Sequence, residues 1–251
     1  MRKNALITGA TSGIGMATAK RLAHEGYQLI LCGRRLERLE QLEHELSIHT
    51  KVHTLCFDVR DKVAVNEAIS SLPNEFSVID VLVNNAGNAH GLDPIQTGSL
   101  EDWDAMIDIN VKGLLYVSKS VIPKMIAQKS GHIINIGSTA AKEVYPNGNV
   151  YCASKHAVDA INQGMRIDLN QYGIRVGGIH PGMVETEFSK VRFKGDANRA
   201  SKVYEGFKAL QADDIADIIY FVISRPYHVN IADLVVMSTA QASSTIVNKS
   251  N

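Results

Sequence analysis

The stretch ITGATSGIGMA, residues 7–17, decides the fold of this chain of 251 residues. The apolar run ALIT leads to Gly9, and Gly13 and Gly15 then open a segment of small residues that favour a helix. Such glycines allow a tight turn and a close backbone approach, while the helix start offers free N–H groups and a positive dipole end. This order predicts a dinucleotide site, with an ordinary turn as the alternative.

Further apolar runs follow the first, and segments with helical spacing separate them. The runs are YQLILC (27–32), VHTLCF (52–57), IDVLVN (79–84), GHIINIG (131–137), IRVGGIH (174–180) and DLVVM (233–237). Alternating strands and helices require right-handed crossovers and a sheet that is covered on both faces. We therefore predict an α/β fold in which residues 1–251 form a single doubly wound Rossmann-type domain with a seven-stranded parallel sheet.

The composition excludes several classes of protein. Lys and Arg total 26, as do Asp and Glu, so no net charge favours nucleic acid or a membrane surface. The cysteines, Cys32, Cys56 and Cys152, form no paired motif, which is typical of reduced thiols. No segment approaches the ~18 apolar residues of a membrane span, and the first apolar run is too short for a secretory signal. We expect a cytoplasmic protein without nucleic-acid or membrane partners.

The end of the second strand indicates which dinucleotide binds. An acidic residue there would accept a hydrogen bond from the ribose 2′-hydroxyl of NAD, whereas arginine accommodates the 2′-phosphate of NADP. Gly33 stands where the acid is expected, and Arg34 and Arg35 follow it. The pair favours NADP, with two solvated arginines at a helix start as the alternative.

Two more strand ends carry residues suited to a nucleotide. Asp58 follows the third strand, where its carboxylate can accept from an adenine amino group or cap the helix that starts near Asp61. The run Asn-Asn-Ala-Gly, residues 84–87, ends the fourth strand and allows a cofactor to lie against the backbone. Turn chemistry alone can also produce this run.

Candidate catalytic residues lie in the second half of the chain. Tyr151 and Lys155 are four residues apart, so a helix would place them on one face. A phenol with an ordinary pKa of ~10 is a poor base at neutral pH, and a neighbouring ammonium favours the phenolate. The pair can serve as acid and base, although surface helices also carry such pairs by chance. Ser138 can hold a substrate oxygen, and Asn110 can steady a water between Lys155 and solvent.

Together these motifs resemble the NAD(P)-dependent short-chain dehydrogenases/reductases, from about residue 4 to about residue 240. The resemblance rests on Thr8-Gly9-(x3)-Gly13-Ile14-Gly15, Asn84-Asn85-Ala86-Gly87, Asn110, Ser138, Tyr151-(x3)-Lys155 and Pro181-Gly182. It implies that Asn110, Ser138, Tyr151 and Lys155 are catalytic, with Tyr151 as general acid/base. It also implies that Lys155 holds the nicotinamide ribose, and that the backbone at Val184 and the hydroxyl of Thr186 meet the nicotinamide carboxamide.

The cofactor-binding residues that follow from the motifs and the resemblance form one set. They are Gly9, Thr11, Ser12, Gly13, Ile14, Gly15, Arg34, Arg35, Asp58, Val59, Asn85, Ala86, Gly87, Tyr151, Lys155, Pro181, Gly182, Val184 and Thr186.

A finer resemblance concerns the substrate. CGRRLERLEQL, GHIINIGSTA and EFSKVRFKGD are similar to segments of the NADP-dependent 3-hydroxy acid dehydrogenases, which act on L-serine, L-allo-threonine and small 3-hydroxy acids and are usually tetramers. It implies hydride transfer between NADP and such an acid, in a homotetramer. The alternatives are a reductase of ketones, aldehydes or other alcohols, and a nucleotide-binding sensor without catalysis.

A loop at about residues 185–210 follows a strand end, where it is placed to cover the site, with a plain surface loop as the alternative. A substrate carboxylate needs a cation, because an unpaired buried charge is costly. Arg192 and Lys194 are the candidates, and we favour Arg192 for its bidentate geometry. Ser138, Tyr151 and Arg192 are thus the predicted substrate-binding residues. The histidines show no metal-ligand spacing, so no metal is expected.

Overall fold

The structure is a computed structural model that describes residues 2–249. Its strands are β1 (Asn4–Thr8), β2 (Gln28–Gly33), β3 (Val52–Cys56), β4 (Val81–Asn84), β5 (Gly131–Ile136), β6 (Ile174–Pro181), β7 (Val184–Glu185), β8 (Leu210–Gln211) and β9 (Asp233–Val236). Its α-helices are α1 (Gly13–His24), α2 (Leu36–Leu46), α3 (Lys62–Ser70), α4 (Leu100–Ile107), α5 (Leu114–Gln128), α6 (Asn149–Leu169), α7 (Phe188–Arg192), α8 (Ala197–Lys202) and α9 (Ala212–Ile223).

Seven of the strands form one parallel sheet in the order β3-β2-β1-β4-β5-β6-β9. Each apolar run singled out in the sequence supplies one of them, so the predicted seven-stranded parallel sheet is confirmed. Strand order reverses between β1 and β4, and Ala5 pairs with Leu29 on one side and Val81 on the other. In doubly wound folds ligands bind at such a reversal, beyond the carboxyl ends of the strands.

The sheet is buried on both faces because successive side chains of a strand point to opposite sides. On one face Ala5 and Ile7 of β1 belong to an apolar core that includes buried side chains of α1, α2 and α9. On the other face Leu6 belongs to a core that includes side chains of α3, α5 and α6. Helices therefore cover both faces, as predicted.

Two features beyond the sheet position the site. The chain between α4 and α5, Asp108–Gly113, forms a π-helical turn, which widens the helix by one residue per turn. The predicted covering loop contains α7 and α8, and the parallel pairing of β7 with β8 closes its base. We call residues 185–210 the covering segment. No helix within residues 2–249 has the length and apolar character needed to cross a membrane.

Candidate active site

The glycine turn after β1 has backbone angles and close contacts that larger residues could not adopt. Gly9 has φ +65 and Gly13 has φ +51, both in the left-handed region that favours glycine. A Cβ on Gly15 would lie 2.3 Å from the carbonyl oxygen of Gly9, so no side chain fits there. The start of α1 therefore packs directly on the turn after β1, which brings its free N–H groups to the edge of the sheet where a pyrophosphate would bind.

The run at the end of β4 braces this turn. Thr8 Oγ1 accepts hydrogen bonds from the backbone N–H groups of Asn85 and Ala86, each at 3.0 Å. Asn85 Nδ2 donates to the carbonyl oxygens of Thr8 at 2.9 Å and Gly9 at 3.3 Å. Asn84 points the other way, into a buried amide contact with Asn135 at 2.9 Å. The strand ends on both sides of the topological reversal are therefore fixed to each other.

A cleft of about 810 Å³ opens at this edge of the sheet. Of the site residues predicted from the sequence, all but Gly15 and Asn110 line it. Its lining runs from Arg34 and Arg35 at the β2 end to Tyr151, Ser138 and Arg192 at the other. Volume and shape suit an elongated ligand with a substrate beside it.

The β2 end of the cleft fits a 2′-phosphate better than a bare 2′-hydroxyl. A Cβ on Gly33 would lie 2.8 Å from Thr11 Cγ2, so the position has no room for an acidic side chain. Arg35 donates from Nε to Thr11 Oγ1 at 3.2 Å and from Nη2 to the Thr11 carbonyl at 3.2 Å. Arg34 is 58% exposed beside it. Two guanidinium groups at the adenosine end are suited to the 2′-phosphate of NADP.

Asp58 does not cap the next helix. Asp61 does, because its Oδ1 accepts from the N–H groups of Val63 at 2.9 Å and Ala64 at 3.1 Å. Asp58 lines the cleft, where Arg60 Nη2 donates to its Oδ2 at 2.7 Å. Burial raises the pKa of Asp58, but the hydrogen bonds from Arg60 more than offset this, so its pKa is lowered. Its carboxylate is thus ionised beside the β2 end of the cleft.

Tyr151 and Lys155 share one face of α6, and both are buried. Lys155 Nζ donates to the carbonyl oxygen of Ile136 at 3.0 Å, and burial lowers its pKa to about 8. Burial also raises the pKa of Tyr151, and the Ser138 hydroxyl and the charge of Arg192 oppose that rise. In the structure Ser138 and Arg192 therefore favour the phenolate.

Asn110 lies in the π-helical turn and is 2% exposed. Its Oδ1 accepts from the N–H of Asn88 at 2.8 Å, and its Nδ2 donates to the Asn88 carbonyl at 2.8 Å and Ser154 Oγ at 3.0 Å. A Cβ on Gly87 would lie 3.0 Å from Asn110 Oδ1 and 3.5 Å from Lys155 Nζ. Asn110 therefore joins the β4 end to α6 directly behind Lys155.

Arg192 lies over the catalytic end of the cleft, at the end of α7. Its Nε donates to the Gly91 carbonyl at 3.0 Å and its Nη1 to Tyr145 Oη at 3.0 Å. Lys194, the other candidate, instead points to Asp102, with Nζ 3.0 Å from a carboxylate oxygen, and its side chain is 63% exposed. Of the two cations only Arg192 lines the cleft.

Sequence reasoning missed Gln241, which lies beyond β9. Its Oε1 accepts from the N–H of Met183 at 2.9 Å, and its side chain is 5% exposed. A Cβ on Gly182 would lie 2.2 Å from the same Oε1, so the two residues are in close contact. The chain after β9 thus holds the backbone between β6 and β7. The only sequence signal is that position 241 follows a strand that ends at the same edge of the sheet.

One cluster outside the cleft has the residue types of a metal site. His180 is buried, with Nε2 2.9 Å from Asp233 and 3.7 Å from Asp159. The ammonium of Lys142 already bridges the two carboxylates, at 3.0 Å from Asp159 and 2.6 Å from Asp233. Because a resident cation joins these carboxylates, the group is an ion-pair cluster.

Comparison with known proteins agrees with this geometry. The family model for short chain dehydrogenase matches residues 3–197. This chain belongs to the short-chain dehydrogenase family. The predicted family is thus confirmed for this short-chain dehydrogenase.

Several relatives of this short-chain dehydrogenase carry specific names. NADP-dependent 3-hydroxy acid dehydrogenase YdfG of Escherichia coli K12 is 45% identical over 94% of this chain and 95% of its own. Sulfoacetaldehyde reductase 2 of Chromohalobacter salexigens is 47% identical over 94% of each chain. A solved structure, the closed form of serine dehydrogenase complexed with NADP⁺, has a TM-score of 0.92 at 44% identity and covers 95% of this chain and 96% of that one.

Proposed function

We propose that this protein is an NADP-dependent oxidoreductase that transfers a hydride between NADP and a small 3-hydroxy acid. L-Serine, L-allo-threonine, 3-hydroxyisobutyrate and 3-hydroxypropionate are the candidate substrates. The observation that carries the proposal is that Arg192 and Ser138 line the same end of the cleft as the Tyr151 phenol. A carboxylate on Arg192 would direct the hydroxyl of a short acid towards Tyr151 and Ser138.

The position of each residue in the cleft indicates its proposed role in the reaction. Tyr151 exchanges a proton with the substrate oxygen, and Ser138 holds that oxygen and favours the phenolate. Lys155 holds the cofactor ribose, and Asn110 supports Lys155 and the proton's route to solvent. The nicotinamide supplies or accepts the hydride, while the protein supplies position and electrostatics. Positioned acid–base groups of this kind contribute about 10²–10⁴-fold to rates.

NADP is the cofactor by two independent arguments. Relatives that share 44–47% of their residues with this chain over nearly its whole length are named for NADP or were solved with it. Arg34 and Arg35 lie at the adenosine end of the cleft, where Gly33 leaves no room for an acid. We propose that the lining residues predicted from the sequence bind this cofactor.

The names of the relatives also favour a small anionic substrate. A 3-hydroxy acid and serine carry a carboxylate, and sulfoacetaldehyde carries a sulfonate. Arg192 is suited to either anion. We further propose that the chain acts as a single domain, in the cytoplasm, as a homotetramer, and without nucleic acid or membrane as a partner.

The test is to follow reduced nicotinamide by absorbance with purified protein, NADP or NAD, and a panel of substrates. The panel contains the four 3-hydroxy acids, neutral alcohols of matched length, and sulfoacetaldehyde with reduced cofactor. We expect NADP-dependent oxidation of the acids to exceed that of the neutral alcohols. Faster oxidation of neutral alcohols, or faster reduction of ketones and larger aldehydes, would instead support the alternative, a reductase of such compounds. Tight NADP binding without turnover of any substrate would support a sensor.

A further inference from the structure

Glu187, the residue before α7, reaches from the covering segment to two arginines at the start of α2. Its Oε2 lies 3.1 Å from Arg35 Nη1, and its Oε1 and Oε2 lie 2.9 Å and 3.1 Å from Arg38 Nη1. Burial raises the pKa of Glu187, but the hydrogen bonds from Arg38 and Arg35 more than offset this, so its pKa is lowered. The carboxylate is therefore an anion already placed among the cations at the adenosine end of the cleft.

Every guanidinium nitrogen of Arg35 already has a hydrogen-bond partner in this arrangement. Its Nε and Nη2 are bound to Thr11, and its Nη1 is bound to Glu187. Both Glu187 and Arg35 line the cleft, whereas Arg38 stands behind them. A phosphate that arrives at Arg35 must share the guanidinium with Glu187 or displace it.

We propose that Glu187 is a cofactor-specificity residue, an internal anion that competes with the 2′-phosphate of NADP for Arg35. This inference rests on the proposed use of NADP. Glu187 weakens the binding of NADP, because a carboxylate and a phosphate repel each other at shared donors. It leaves the binding of NAD unchanged, because the 2′-hydroxyl of NAD carries no charge. Arg38 has no direct contact with the cleft and acts through Glu187, as a positioning residue.

The same contact connects cofactor choice to the covering segment. Thr186 packs on the glycine turn, since a Cβ on Gly13 would lie 3.2 Å from Thr186 Cγ2, and Glu187 follows it directly. A phosphate that takes Arg35 from Glu187 therefore acts on the residue from which α7 starts. Arg192, at the other end of α7, is the proposed substrate contact. NADP would thus displace Glu187 from Arg35 at the start of α7, whereas NAD would leave that contact in place.

The effect should be modest, because the side chains of Glu187 and Arg35 are each 42% exposed. We expect Glu187→Gln to lower the Kd for NADP by roughly three- to fivefold. The Kd for NAD should stay within about twofold, and the gain for NADP should shrink at high salt because exposed charges are screened. Titration calorimetry of the complete chain with each cofactor measures both constants without turnover.

The matched control is Glu185→Gln, which removes the same charge from the same segment. Glu185 is exposed, does not line the cleft and contacts Gln211 Nε2 at 3.2 Å rather than an arginine. The control should leave both constants unchanged. Weaker or unchanged NADP binding by Glu187→Gln, an equal change for NADP and NAD, or an equal effect of the control would each overturn the inference. Failure of the unaltered chain to bind NADP would instead overturn the proposed function.

Discussion

The guanidinium carbon of Arg192 lies 5.5 Å from the centre of the Tyr151 ring. One residue belongs to the covering segment and the other to α6, so the contact closes the catalytic end of the cleft. Burial raises the pKa of Tyr151, and the charge of Arg192 opposes that rise. The same cation offers hydrogen-bond donors to an anionic substrate. This contact makes the substrate preference testable at a single side chain.

Arg192→Ala should lower kcat/KM for 3-hydroxy acids by about 10- to 100-fold, because a hydrogen bond to a charged group is lost. For neutral alcohols the loss should stay within about threefold. Lys194→Ala is the control, since Lys194 is paired with Asp102 away from the cleft. Steady-state kinetics on both substrate classes decide the point, and equal losses on acids and neutral alcohols would contradict it.

Tyr151→Phe should lower kcat by about 10²–10⁴-fold, because the positioned proton donor and acceptor is removed. The Kd for NADP should stay within about threefold, since the ring still fills its buried position. Tyr145→Phe removes another cleft hydroxyl, one that accepts from Arg192. This control should act mainly on KM. Retention of more than a tenth of kcat by Tyr151→Phe would remove the tyrosine from its proposed role.

Lys155→Met should raise the free energy of unfolding of the cofactor-free protein at pH 7 by about 2 kcal/mol. Burial lowers the folded-state pKa of Lys155 to about 8, below its ordinary value of 10.5. The cost of burying the ammonium is therefore fully present below pH 8 and is relieved as the pH rises towards 10.5. Urea unfolding at pH 7 and pH 10 should show the advantage of the variant shrinking with pH.

Lys142→Met supplies the opposite sign for comparison. Burial lowers the pKa of Lys142, but its hydrogen bonds to Asp233 and Asp159 more than offset this and raise it. The ammonium thus stabilises the fold at pH 7, and its loss should lower the free energy of unfolding by about 1 kcal/mol or less. If both lysine variants changed stability in the same direction, burial would not be what distinguishes Lys155.

Gln241→Leu should raise the Kd for NADP and lower kcat by roughly tenfold each, because the backbone near Met183 loses its brace. The Met183 N–H would lose its partner, at a cost of about 1–3 kcal/mol if it stays buried. Ser244→Ala is the control, since Ser244 lies with Gln241 on the tail of the chain after β9 and its hydroxyl donates to Thr139 Oγ1 at 3.0 Å. Unaltered NADP binding by Gln241→Leu would show that the tail contributes nothing to the cofactor site.

The sheet could be predicted well because strands that are buried on both faces appear in the sequence as continuous apolar runs. It could not predict β7 and β8, since two residues are too few to show a period. The DVRD segment, residues 58–61, contains two aspartates that could cap the N-terminus of α3. Only the backbone conformation shows that Asp61, and not Asp58, is the cap. Gln241 and Glu187 escaped notice because each acts on residues far away in the chain. Such contacts leave no local pattern.

The π-helical turn at Asp108–Gly113 bears on how this protein tolerates change. Removing one residue from it, for example Val111, would let α4 and α5 merge into a regular helix. A π-helical turn holds more residues per turn than the 3.6 of an α-helix, so without it the side chain of Asn110 would point in a different direction. Asn110 would then leave Asn88 and Ser154. A shortened chain would thus gain a more regular helix and lose its active site, and engineering this enzyme for stability should spare this turn.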